Sequence, residues 1–261
     1  MRRMLIAIAA LAVALIVTSV AYAATLNTYT ATISGKTSAG TPANPGAFNF
    51  REQLTAANTT PNMRAGVLKD ITLKVSGVKT NYKDFKTVCT AAQIAAAQND
   101  AGCPHAALVA SGSIKSVLGD KTLQVSSKDV ACDPNLDVWN GGNGKLVFFF
   151  VITATHACSG LQTGAAAPYV GTIKQVGNSI VQDTPLPADV STNAGNVGLY
   201  GSLEMETLNW SKLTTKVGGK TVPFIQSTSC TAHSRPFTVT FKATDATGAV
   251  STETIPGKAA C

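Results

Sequence analysis

From Val67 to Ser76 the chain reads VLKDITLKVS, with Ile71, Leu73 and Val75 on one side of a two-residue period and Asp70, Thr72 and Lys74 on the other. Such alternation marks a half-buried β-strand, because successive side chains of an extended chain point to opposite faces. The pattern recurs at 238–244, where Val239, Phe241 and Ala243 oppose Thr238, Thr240, Lys242 and Thr244, and at 199–208, where Leu203 and Met205 oppose Glu204 and Glu206. Asp245 to Gly248, DATG, predicts a turn, after which 249–255 returns antiparallel until Pro256-Gly257 breaks the pattern. Leu146 to Ile152, within KLVFFFVITAT, is apolar on both sides of the period and predicts a central strand covered on both faces. Thr25 to Ser34 reads as a first strand, and 111–125 as two short strands about Gly119-Asp120. The stretches 38–46 and 133–144 (DPNLDVWNGGNG) read as loops, because glycine and proline interrupt both regular periods. Short strands without a strand-helix rhythm predict a mainly β chain, folded as an antiparallel β-sandwich or jelly roll.

One stretch departs from this rule. Thr90 followed by Gln93 has the form of an N-terminal capping box, good helix formers run on to Gln98, and Asn99 and Gly102 supply a stop. So short a helix is unstable alone, but Cys89 and Cys103 flank it, and a bridge between them would hold it against the sheet as a disulfide-closed helical excursion.

The N-terminus decides how the cysteines are read. Arg2 and Arg3 precede an apolar run from Met4 to Val17, and Ala21-Tyr22-Ala23 fits the small-x-small pattern of a cleavage site. Residues 1–23 therefore predict a signal peptide and 24–261 a secreted β-rich domain, with a division near 128 as the alternative. All six cysteines follow the signal, where disulfides persist. Sequential pairing, Cys89 with Cys103, Cys132 with Cys158 and Cys230 with Cys261, is expected because each bridge closes a local loop. Loss of the two signal arginines lowers the formal charge from +7 to +5. Lys69, Lys74, Lys79, Lys83 and Lys86 are spread among threonines and aspartates, so composition argues against a nucleic-acid partner.

Candidate chemistry is sparse. Cys103-Pro104-His105, His156-Ala157-Cys158 and Cys230-Thr231-Ala232-His233 place histidines near cysteines, yet oxidised cysteines supply no thiolate ligands, and zinc needs a cluster of three or four donors. Ser111-Gly112-Ser113 lacks the full nucleophile elbow. Glu204 and Glu206, two apart on a strand, are expected on one face and not astride a glycosidic bond. Trp139 and Trp210 are candidates for stacking on a sugar, against the plainer reading of packing. Asn58-Thr59-Thr60 and Asn209-Trp210-Ser211 fit the glycosylation sequon. No catalytic, cofactor-binding or metal-binding residue is assigned.

FKTVC at 85–89, CPHAALVASG at 103–112 and PFTVTFKATDATG at 236–248 together resemble exported β-rich proteins of high-GC Gram-positive bacteria. The resemblance implies a secreted or envelope-associated domain and transfers no activity to named residues. The expectation is a structural or binding protein at the extracellular face of the cell envelope, with an envelope polysaccharide or protein as partner and no membrane span after signal cleavage. An extracellular hydrolase with dispersed catalytic residues, or a carbohydrate-binding module, is the alternative.

Overall fold

The computed structural model describes residues 26–35, 40–158, 167–194, 198–211 and 213–261, so the predicted signal at 1–23 lies outside the described residues. The first strands are β1 (Asn27–Ser34), β2 (Gly46–Ala47), β3 (Phe50–Asn58), β4 (Val67–Ser76) and β5 (Val78–Thr80). After helix α1 (Ala91–Ala97) come β6 (Leu108–Gly119), β7 (Val130–Cys132), β8 (Asn135–Gly142), β9 (Lys145–Val151), β10 (Tyr169–Val176) and β11 (Ser179–Pro185). Helix α2 (Ala188–Ser191) precedes β12 (Tyr200–Trp210), β13 (Thr214–Val217), β14 (Lys220–Pro223), β15 (Ile225–Ser227), β16 (Ser234–Thr244) and β17 (Val250–Ala260).

Antiparallel β structure is as expected; the two-sheet division of a sandwich or jelly roll is not confirmed, and most strands join one continuous sheet beside the small β2-β15-β5 and β13-β14 sheets. Its order is β1-β3-β12-β6-β8-β9-β10-β11-β4-β16-β17, with β7 added beside β6, and it curls until β17 lies against β1 in a nearly closed barrel. Eleven strands alternating in direction leave the first and last running the same way, so the seam is the one parallel junction of the ring. Tyr29 of β1 stacks on Phe241 of β16 across it, with ring centroids 4.1 Å apart. Strands from before and after residue 128 are interleaved around the ring.

The alternation seen in the sequence sorts residues to the two sides of the wall. Ile71, Leu73 and Val75 on β4 and Val239, Phe241 and Ala243 on β16 point inward and are buried. Thr30 and Thr55 pair outside at 2.6 Å, as do Thr240 and Thr254 at 2.9 Å. On β9, Leu146 and Phe148 enter the barrel core, while Val147 and Phe149 pack outward with Trp139 beneath Ile94 of α1. The doubly apolar run is therefore a central strand covered on both faces. Helix α1 has the expected capping box: Gln93 N–H donates to Thr90 Oγ1, and Thr90 N–H donates to Gln93 Oε1 at 2.8 Å. The three disulfides are Cys89–Cys103, Cys132–Cys158 and Cys230–Cys261, the sequential set.

Three local expectations change. Asn135–Gly142, taken for a loop, is strand β8, paired on both sides, and the turn shrinks to Asn143-Gly144 with φ of +53° and +76°. Both residues occupy the left-handed region that a two-residue hairpin turn requires. The stretch 111–125 is not two strands: β6 ends at Gly119, and beyond it only Gln124 forms an isolated bridge, to Met63. Strand β17 runs through Pro256-Gly257 to Ala260. Proline is tolerated because β17 is a sheet edge, and Gly257 leaves the space that the Phe237 ring fills.

The two ends of the barrel differ. At one end a small sheet, β2-β15-β5, forms a plug over Phe48, Phe85 and Phe224, with Phe85 edge-on to Phe224 at 5.1 Å. Arg235 is buried there: it donates to the Gly77 carbonyl (2.9 Å) and to Ser227 Oγ (2.8 Å) and lies 4.7 Å over the Phe48 ring. A column of contacts then runs inward. Phe48 meets Phe50, Phe50 stacks on Trp210 at 5.4 Å, and the Trp210 indole donates to Glu52 at 3.1 Å. The other end is capped by Leu186 to Ala194, a segment containing α2.

Candidate functional site

Beneath that cap lies a cavity of about 90 Å³. Its wall comes from Leu68 and Ile71 on β4, Ile114 on β6, Phe150 on β9, Tyr169 on β10 and Leu203 on β12, and Leu186 and Val190 roof it. The Cys132–Cys158 bridge forms part of its rim. Most of the lining is apolar, and the acids that reach it are Glu206 of β12 and Asp189 of the cap.

Glu206 points inward because β12 carries a bulge between Leu203 and Met205. A bulge inserts one unpaired residue and shifts the two-residue phase. Leu203 and Glu206 consequently share the inner face, whereas Glu204 lies in a groove on the outer face beside Met63 and Val117. The expectation that Glu204 and Glu206 share a face is thus overturned.

Behind Glu206 stands Glu52. In the β3–β12 register Glu206 pairs with Leu54 and Glu52 with Leu208, so the two carboxyls are diagonal neighbours on the inner wall. Burial first, and then the charge of Glu52, raise the pKa of Glu206 to about 8. Glu52 is likewise raised by burial, opposed by the hydrogen bond from Trp210. The pair therefore keeps a proton at neutral pH. Burial, assisted by Glu206, also holds the Tyr169 hydroxyl well above its usual range. The Tyr169 ring stacks on Phe148 at 5.1 Å and tilts against Phe150 at 5.7 Å.

A second polar group sits on the outer wall under α1. Trp139 donates to Asp100 Oδ2 at 3.2 Å, and Asp137 of β8 stands beside Asp100. Burial first, then the Asp100 charge, raises Asp137 to about 6, while His105 opposes the shift. Ser111 is the cross-strand neighbour of Asp137, so a serine, an acid and a histidine share one patch of wall.

The histidines do not converge. His105 adjoins Asp137, His156 lies in the turn closed by Thr153, and His233 occupies the turn before β16. Among the described residues no group of three or more His, Cys, Asp or Glu is placed to hold a metal ion. Trp139 and Trp210 are 5% and 3% exposed and offer no stacking face to a sugar. Asn58 of the first sequon is engaged with the Arg64 carbonyl and the Thr60 N–H, whereas Asn209 of the second is exposed on the outer wall.

Compared with known protein families, curated proteins and solved structures, the chain matches none. The site is therefore read from its own chemistry. Sequence reasoning missed Glu52, Tyr169 and the cap. Alternation is present in YVGTIKQV before the Gly177-Asn178 turn, which is a hairpin signal. In FREQLTAA the inward position is a glutamate, and that charge disguises the apolar face of β3.

Proposed function

We propose that this chain is an exported binding protein of the extracellular space or cell envelope, whose capped barrel end holds a small, mainly apolar ligand. The carrying observation is the cavity itself: a partly open, mainly apolar space under the cap, reached by the carboxyls of Glu206 and Asp189. Ligand sites combine apolar lining with few polar groups that fix orientation. Three disulfides are typical of extracellular proteins, and no described helix is long and apolar enough to cross a membrane. The threonine-rich outer wall is the surface left for an envelope polysaccharide or protein.

Binding of an eight-atom aromatic probe, followed by protein-observed NMR, tests the reading. A Kd on the order of 0.1–1 mM is expected. Leu203→Trp, which fills the cavity, should abolish the shifts, and Val170→Trp on the outer wall should not. Equal binding by both variants would place the probe elsewhere and end the proposal. The hydrolase reading is favoured only by the Ser111, Asp137 and His105 patch; it requires Asp137→Asn to remove a hydrolytic activity that wild type displays.

A further inference from the structure

We propose that the ligand of the barrel cavity is an organic cation, a protonated amine on a small aromatic or aliphatic body, with the Glu206 carboxylate as its counter-ion. This rests on the reading of the cavity as a ligand site and adds the sign of the ligand's charge.

The lining is acidic in a basic protein. Glu206 and Asp189 reach the cavity and, among the described residues, no lysine, arginine or histidine lines it, although the chain carries a formal charge of +7. Lys69 lies nearby, but its ammonium rests on the Ser191 hydroxyl at 3.5 Å and is not part of the lining. A carboxylate taken out of water needs a proton, hydrogen-bond donors or a cation. Glu52 has the Trp210 indole, whereas among the described residues Glu206 meets burial and the Glu52 charge with no hydrogen-bond donor. Its accessible surface faces the cavity, so the missing partner would enter there. Tyr169 and Phe150 are the aromatic residues of the same lining, and aromatic rings attract cations.

Binding exchanges one cation for another. An incoming R–NH3+ pairs with the Glu206 carboxylate, and the proton that Glu206 carried leaves to solvent. The titratable groups around this exchange are Glu52 from β3, Tyr169 from β10 and Asp189 from the cap, with Lys69 beyond Ser191. Uptake should therefore release up to one proton per ligand below the pH at which Glu206 ionises, and affinity should rise with pH across that range.

Three probes of nearly equal size separate the possibilities: benzylamine, benzyl alcohol and benzoate, titrated calorimetrically at pH 7.5 into wild type, Glu206→Gln and Asp189→Asn. The cation should bind wild type at least tenfold more tightly than the alcohol. Glu206→Gln should erase that preference and leave the alcohol within about twofold, and Asp189→Asn should weaken the cation about threefold. Repeating the cation titration at pH 6.5 in two buffers of different ionisation enthalpy should show proton release. Alcohol binding as tight as the amine, or an amine preference that survives in Glu206→Gln, overturns the cation assignment and leaves the cavity reading standing. Benzoate as the tightest probe also overturns it and makes Glu206 a proton donor to an anion. Failure of all three probes, with Leu203→Trp indistinguishable from wild type, overturns the cavity reading as well.

Discussion

At the plugged end Phe48, Phe85 and Phe224 meet under the small sheet and the Arg235 guanidinium is met by a carbonyl, a hydroxyl and an aromatic face. At the capped end comparable inward positions are Leu203, Ile114 and Tyr169, and they leave about 90 Å³ unfilled around a carboxyl. Both ends bury a charged residue type in an apolar setting. At the plugged end the chain meets Arg235 with two hydrogen bonds and a ring while leaving its Nε without a hydrogen-bond partner, and at the capped end, among the described residues, no side chain donates to Glu206. The barrel thus has a packed stopper at one end and an unfilled space at the other, joined by the Phe48-Phe50-Trp210-Glu52 column.

Four measurements can break or sharpen this contrast. Phe224→Ala should be the most damaging, because Phe224 is fully enclosed beside Phe85; a loss of about 3–5 kcal/mol in urea unfolding is expected. A loss under about 1 kcal/mol would mean that the plug is not tightly packed. Replacing either Cys132 and Cys158 or Cys230 and Cys261 by alanine should cost about 2–4 kcal/mol. Only the first pair rims the cavity, so only its removal should weaken probe binding.

The next effect is a pH dependence. A carboxyl whose pKa is raised on folding holds its proton more tightly folded than unfolded. Its contribution is intact below the ordinary value of 4.5 and is lost as pH rises towards about 8. Wild type should therefore lose about 2–4 kcal/mol between pH 5 and 8 through the Glu52–Glu206 pair, and Glu206→Gln should flatten most of that slope. An unchanged slope in the variant would assign the effect to another group. The smallest effect compares added volume. Gly257→Ala, which drives a methyl into the Phe237 ring, should cost about 1–3 kcal/mol, whereas Leu203→Phe, with space beside it, should cost under about 1 kcal/mol.

The wall was more legible in the sequence than the site. VLKDITLKVS and PFTVTFKATDATG announce β4, β16 and the turn to β17 because one side of each strand is apolar and the other polar. The Thr90–Gln93 box announces α1 because its signal is local. Strand β8 was hidden because NLDVWNGGNG mixes turn formers with inward Leu136 and Val138, and pairing on both sides overrides their loop preference. The cavity could not be read at all. It depends on a one-residue bulge that turns Glu206 inward, and on β3, β10 and the cap meeting from distant parts of the chain. Adjacency in sequence drew attention to Glu204 beside Glu206, when the neighbour that matters is Glu52.

The parallel seam between β1 and β17 has a consequence in time. These strands lie roughly two hundred residues apart in the chain, so the ring closes only after its last-made strand is available. Until then β16 exposes a bare edge and Phe241 lacks its β17 neighbour, the kind of surface that invites association between unfinished chains. Oxidation of Cys230 with Cys261 then locks the end of β17 beside the start of β16, so the last strand to arrive is also the one tied down covalently.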